Sequence, residues 1–317
     1  MAGPMTELAG LELEHPVLNG SGTFDAIAAL RTFGPELREQ FPFSAFVSKT
    51  ITVDPRGGNP PPRLWEAAAG LVNSIGLPNK GLEGFLAEDL PVLATLPVPL
   101  VVSVAGFSHE QFARLVEAVA AEDAVAALEL NVSCPNVKSG CVMGAEPRET
   151  LALLGRLRPI TSKTLIVKLT PNATDVGAVA QAAEQGGADA LSLINTLRSV
   201  GIDPATDRPW LGAGSGGLSG PAVKAVALEQ VHTVASRTGL PVVGMGGIRS
   251  GRDALDFLAA GASAVAVGTE SFRDPAAGER VRAELAQLLG ARDGASLHNA
   301  VTVAARVPES GANAGEK

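Results

Sequence analysis

Eight short apolar runs, each stopping abruptly at a glycine, an amide, a hydroxyl or a lysine, constrain the fold of this chain more than any other feature. They are PVLNGSG from Pro16, AFVSKTI from Ala45, LVVSVAG from Leu100, ALELNVSC from Ala127, LIVKLTP from Leu165, ALSLINT from Ala190, PVVGMGG from Pro241 and AVAVGTE from Ala264. Continuous Val/Ile/Leu runs mark strands buried on both faces, as in parallel sheets. Between most of them lie stretches with helical periodicity, such as HEQFARLVEAVAAED and SGRDALDFLAAGA. Several open on a cap signal, Ser108 before His109-Glu110 and Thr174-Asp175 before an apolar run. Strand and helix alternating eight times over predicts an α/β protein, a (β/α)8 TIM barrel.

Two insertions interrupt the spacing. The first runs from Thr52 to Lys80, the second is RSVGIDPATDRPWLGAGSGG after Asn195-Thr196, and both follow strands. They are therefore expected at the C-terminal face of the strands, over the barrel mouth. A single barrel domain is expected over residues 1–307, with PESGANAGEK at 308–317 a disordered tail.

Charge and cysteine content narrow the chemistry. The 317 residues carry 25 Lys+Arg against 33 Asp+Glu, a formal net charge of −8, which argues against nucleic acid or an anionic membrane surface as a partner. No secretory signal and no apolar run of membrane-spanning length is visible, so a cytoplasmic location is expected. The two cysteines, Cys134 and Cys141, are too few for a disulfide framework, a four-cysteine zinc site or an all-cysteine iron–sulfur cluster. Electrons, if this chain moves them, need an organic cofactor or a partner.

In such a barrel the reacting groups come from the C-terminal ends of the strands. Here those ends carry Asn19-Gly20-Ser21, Lys49-Thr50, Ser103, Asn131 with Ser133-Cys134, Lys168, Asn195-Thr196, Gly246-Gly247 and Gly268-Thr269. The ring holds no His and no carboxylate cluster, so neither a His-based mechanism nor a divalent-metal site is expected. The glycines ending the seventh and eighth runs offer backbone N–H groups to a phosphate, unless they serve only tight packing at the rim. Lys49 and Lys168 end interior strands, where an unpaired ammonium is costly; they face an anionic or electron-rich ligand or else lie solvated on the rim. A flavin satisfies both features, its phosphate in the glycines and a lysine near its N1 and C2=O edge. Cys134 precedes Pro135, which ends the strand, and a thiol near a lysine is a competent base at neutral pH; a lone cysteine can equally be a small hydrophobe. Non-redox alternatives stay open at this point, a phosphate-binding isomerase, an aldolase using Lys168 as a Schiff-base amine, or a purely structural barrel.

The series NGSGTF, SKTIT, NSIGLPNKG, NVSCPNVKSG, VKLTPN, INT, GGLSGPAVK, GMGG and VGT resembles the flavin-containing dihydroorotate dehydrogenases, specifically the soluble class 1, from about Leu8 to Val307. Cysteine within SCPN marks class 1; class 2 looks similar with serine there. The resemblance implies oxidation of dihydroorotate to orotate in pyrimidine biosynthesis, with FMN as cofactor and Cys134 taking a proton from C5 while a hydride leaves C6. It implies that orotate is held by Lys49, Asn73, Ser74, Ile75, Gly76, Leu77, Asn131, Asn136, Asn195 and Thr196. It implies FMN contacts from Ser21, Lys49, Thr50, Ser103, Asn131, Lys168, Ile194, Gly220, Gly246, Gly247, Gly268 and Thr269, and no metal. One departure is Ser103, where related proteins commonly have an asparagine with longer reach. The loop VKSGCVMG looks like the NAD-linked class 1B, whose catalytic subunit works with a partner carrying FAD and a [2Fe-2S] cluster, more than the fumarate-using class 1A with its VPGKPQ. A homodimer core, with partner subunits added to make a heterotetramer, follows from the same resemblance. No GxGxxG fingerprint is present, so NAD is not expected to bind this chain itself. The related dihydropyrimidine dehydrogenase flavin domain is the nearest rival.

Overall fold

The computed structural model describes residues 6–133 and 143–290. Cys134, Asn136, Cys141 and the 308–317 tail lie outside the described residues. All eight apolar runs form strands: β1 (Val17–Asn19), β2 (Phe46–Val47), β3 (Leu100–Val104), β4 (Val125–Asn131), β5 (Thr164–Lys168), β6 (Ala190–Leu193), β7 (Val242–Met245) and β8 (Ala264–Val267). They make one parallel sheet in the order β1-β8-β7-β6-β5-β4-β3-β2, with helices between them. The architecture is a (β/α)8 TIM barrel.

The seam between β1 and β2 is stitched partly by a side chain. Ser44 N–H donates to the Val17 carbonyl at 3.0 Å, and above it the Asn19 amide takes over. Its Nδ2 donates to the Val47 carbonyl at 2.8 Å and its Oδ1 accepts from the Val47 N–H at 2.8 Å. Asn19 is fully buried and completes the seam as a neighbouring backbone would.

Side-chain alternation along the strands divides the apolar core in two. Val102, Val104, Leu128, Leu130, Val167 and Val265 point outward into the layer beneath the helices. Val101, Ala127, Ile166, Ala190, Val243 and Ala264 belong to a second cluster inside the barrel. The helices present a stripe at helical spacing: helix His109–Ala120 buries Phe112, Leu115, Val116 and Val119. Each such side chain contributes about 1.5–3 kcal/mol on leaving water. Both expected caps are made, Ser108 accepting from Gln111 N–H and Asp175 from Ala178 N–H.

Two features were not legible in the sequence. An antiparallel hairpin, Thr6–Leu8 with Leu11–Leu13, turns at Ala9 and Gly10, whose φ values are 50° and 84°. It drives Leu8, Leu11 and Leu13 into the barrel interior, and Thr164, the first residue of β5, donates to the Ala9 carbonyl at 2.9 Å. The hairpin thus plugs the N-terminal end of the barrel. At the other end the two insertions pair into one antiparallel sheet, in the order Leu197–Ser199, Gly216–Ser219, Gly70–Asn73, Leu64–Ala67. Among the described residues, no helix is long and apolar enough to cross a membrane.

Candidate active site

Opposite the plugged end, the strands of the described residues open into a cavity of about 280 Å³. Its floor and walls come from strand ends: Lys49 and Thr50 after β2, Asn131 at the end of β4, Lys168 at the end of β5, and Ile194, Asn195 and Thr196 after β6. Ser21 joins from the β1 side, and Asn73, Ile75, Gly76 and Leu77 from the first insertion. Gly220, Gly246, Gly247, Gly268 and Thr269 line the far end. Two expected residues are placed otherwise. Ser74 is buried and accepts from Asn59 Nδ2 at 2.8 Å, and Ser103 is fully buried below the cavity; neither lines it.

Below the rim runs a continuous polar chain. Ser21 Oγ donates to the Ser48 carbonyl at 2.8 Å and meets Thr50 Oγ1 at 3.1 Å, and Thr50 Oγ1 meets Ser103 Oγ at 2.9 Å. Ser103 Oγ donates to Glu129 Oε1 at 3.2 Å, and Ser192 Oγ donates to Glu129 Oε2 at 3.0 Å. Lys168 Nζ lies 3.7 Å from Glu129 Oε1, with both side chains under a tenth exposed. Nearer the mouth, Asn195 Nδ2 donates to Asn131 Oδ1 at 3.3 Å and to Ser133 Oγ at 2.8 Å, and so reaches the residue directly before Cys134.

Two lysines face one cavity. The Lys49 stem runs over Gly22, where a Cβ would come within 2.9 Å of Lys49 Cδ; Gly22 also holds φ at 71°, so a side chain there is excluded twice over. Lys49 is accessible from the open cavity, yet the protein surrounding it removes enough water to matter. Desolvation first, and the neighbouring Lys168 ammonium second, push its pKa below the usual lysine value. An anionic or carbonyl-rich ligand relieves both effects.

The glycine end suits a phosphate. Gly247 has φ 80°, and a Cβ there would lie 2.9 Å from the Gly220 carbonyl oxygen, so only glycine fits at this point of the cavity wall. The N–H groups of Gly247, Gly268 and Thr269 are not used in the backbone hydrogen bonding of the described residues. Arg249, absent from the sequence reading, lines the same region. Bare donors at one end and two ammonium groups among amides at the other fit a mononucleotide whose ring bears polar edges, and FMN is such a group. Among the described residues, no group of three or more His, Cys, Asp or Glu could hold a metal ion.

A family model described as dihydroorotate dehydrogenase matches residues 5–289. The chain belongs to the dihydroorotate dehydrogenase family. Among its relatives is a protein of Desulforudis audaxviator named dihydroorotate dehydrogenase B (NAD(+)), catalytic subunit, 47% identical over 293 residues, covering 90% of this chain and 93% of that one. A protein of the same name from Geobacter metallireducens is 45% identical over 287 residues, covering 89% and 92%. The fold has a counterpart in the crystal structure of a dihydroorotate dehydrogenase from Eimeria tenella in complex with ferulenol. That match has a TM-score of 0.77 and 23% identity, and covers 94% of this chain and 87% of that one.

Besides Arg249, sequence reasoning missed Glu129. It stands alone in an apolar run, and a search for clusters of carboxylates passes over it. Its signal was spacing: Glu129 lies two residues before Asn131, so both point to the same side of β4. A charge on the interior face of a barrel strand needs a partner, and Lys168 on the adjacent strand is that partner.

Proposed function

We propose that this chain is the catalytic subunit of a class 1B dihydroorotate dehydrogenase. It oxidises dihydroorotate to orotate in pyrimidine biosynthesis and passes the electrons to NAD+ through a partner subunit carrying FAD and a [2Fe-2S] cluster. The observation that carries the reading is the convergence of Lys49, Asn131, Lys168 and Asn195 on one cavity, with Asn195 hydrogen-bonded to the residue directly before Cys134. The relatives named as B (NAD(+)) catalytic subunits support the choice of acceptor class.

Bound FMN supplies a hydride acceptor; every other task falls to the chain. Lys49 pairs with the substrate carboxylate, while Asn73, Asn131, Asn136, Asn195 and Thr196 read the ring's carbonyl and N–H groups. Cys134, as general base, removes the C5 proton as the C6 hydride departs, so that the C5–C6 single bond becomes the double bond of orotate. Lys168 would counter the negative charge that a bound flavin gains on reduction, and Gly220, Gly246, Gly247, Gly268 and Thr269 would hold its phosphate. A homodimer of this chain, with the electron-transfer subunits docked outside it, completes the assembly.

The test is an anaerobic absorbance titration of the purified chain with dihydroorotate. The expected result is a yellow protein whose flavin band bleaches stoichiometrically, and a Cys134→Ser variant that keeps its flavin but loses most of the reduction at neutral pH. A colourless protein, or a band that dihydroorotate leaves unchanged, sinks the proposal; near-wild-type reduction in Cys134→Ser removes Cys134 from it.

A further inference from the structure

Glu129 plays no part in the reaction as set out above, yet it is the buried carboxylate paired with the cavity lysine. It is 3% exposed, does not line the cavity, and lies in the middle of β4. Three groups from three other strands converge on its two oxygens: Ser103 from β3, Ser192 from β6 and the Lys168 ammonium from β5. Such a carboxylate is costly to bury, and well-packed apolar residues would serve stability as well or better. Its position calls for another use.

We propose that Glu129 is a positioning residue that aims the Lys168 ammonium and tempers the positive charge that the cavity floor presents to its ligand. The hydroxyls of Ser103 and Ser192 fix the carboxylate from opposite sides, one on each oxygen. The fixed Oε1 then holds Lys168 Nζ at 3.7 Å, and it is Lys168, not Glu129, that faces the cavity. Without Glu129 the floor would carry two uncompensated ammonium groups, Lys49 and Lys168, and Lys49 already feels its neighbour as a repulsive charge. With it, one of the two is matched from below. At these low exposures the opposing charges are weakly screened, so the balance is felt across the cavity.

The consequence is a property of the bound flavin, and so the inference rests on the FMN reading above. Reduction puts negative charge on the ring edge, and a floor with an extra positive charge favours the reduced form. The experiment is a spectroelectrochemical measurement of the midpoint potential of FMN bound to the full chain. Glu129→Gln keeps the size of the side chain, removes its charge and exchanges one acceptor oxygen for an NH2 donor, which a serine hydroxyl can accept. It is expected to move the potential upward by at least tenfold in the ratio of reduced to oxidised flavin, about 30 mV for a two-electron couple. The double variant Glu129→Gln with Lys168→Met, which removes both charges, is expected to lie at or below the wild-type potential. Ser192→Ala, a milder change that frees one carboxylate oxygen, is expected to shift the potential upward by less and keeps the test available if Glu129→Gln does not fold. An unchanged potential in Glu129→Gln, or in Ser192→Ala if only that variant folds, overturns the proposal. A full upward shift that persists in the double variant also overturns it, because Glu129 would then act without Lys168. Failure of the wild-type chain to bind FMN at all would instead overturn the functional reading.

Discussion

The lower and upper halves of the barrel interior are built by the same strands and are chemically opposite. Val101 lies in the apolar lower cluster and Ser103 two residues on in the polar chain; the same step takes Ala127 to Glu129, Ile166 to Lys168 and Ala190 to Ser192. A step of two residues keeps the side chain on the inner face and moves it about 6.5 Å up the strand. Stability and chemistry are thus segregated by height in one barrel, the lower half held mainly by apolar packing and the upper half carrying a buried ion pair within a polar chain.

The largest expected effect breaks that ion pair. Lys168→Met leaves the Glu129 carboxylate buried without its counter-charge and should cost about 3–5 kcal/mol in denaturant unfolding, whereas adding Glu129→Gln should restore most of the loss. Equal stabilities for the single and double variants would mean the upper half is not charge-matched as described. In the lower half the comparable change is Leu13→Ala. Leu13 is fully buried in the plug, and its truncation should cost about 2–4 kcal/mol with no second-site rescue by a charge change. Flavin retention should survive it.

A third expectation concerns His15, beside the lower cluster. Burial, and secondarily the Arg282 charge, depress its pKa from 6.5 to about 4. Between those values the unfolded chain binds a proton that the folded chain refuses, so stability rises with pH. The contribution is complete above pH 6.5 and is lost as pH falls toward 4, roughly 3 kcal/mol in all at 1.36 kcal/mol per unit. Thermal unfolding of His15→Gln should lose correspondingly less stability across that window than wild type; parallel pH profiles would exclude His15 as the source. The smallest effect is Ser192→Ala, which removes one donor to Glu129 and should cost about 1.5 kcal/mol by the same unfolding measurement, while leaving the lower half untouched.

How far the sequence could be read follows the same division. Strand ends were legible because a buried run that stops at Lys168, Asn131 or Asn195 must deliver that side chain to the rim, and these three line the cavity. Ser103 was read as a rim group as well, but its small side chain ends inside the polar chain, where Thr50 and Glu129 use its hydroxyl. Asn19 looked like another rim amide and proves to stitch the β1–β2 seam, a role that depends on which strands are neighbours and therefore on closure of the whole barrel. The pairing of the insertions was hidden for a similar reason. Gly216–Ser219 and Gly70–Asn73 are far apart in the chain, and neither has the β-branched alternation that announces a strand.

The hairpin plug has a consequence for traffic. With Leu8, Leu11 and Leu13 filling the base, the barrel of the described residues is a cul-de-sac, and whatever enters at the rim leaves from the rim. Spent and fresh substrate therefore share the rim as their route among the described residues. A non-reacting look-alike that lingers there obstructs arrival and departure alike.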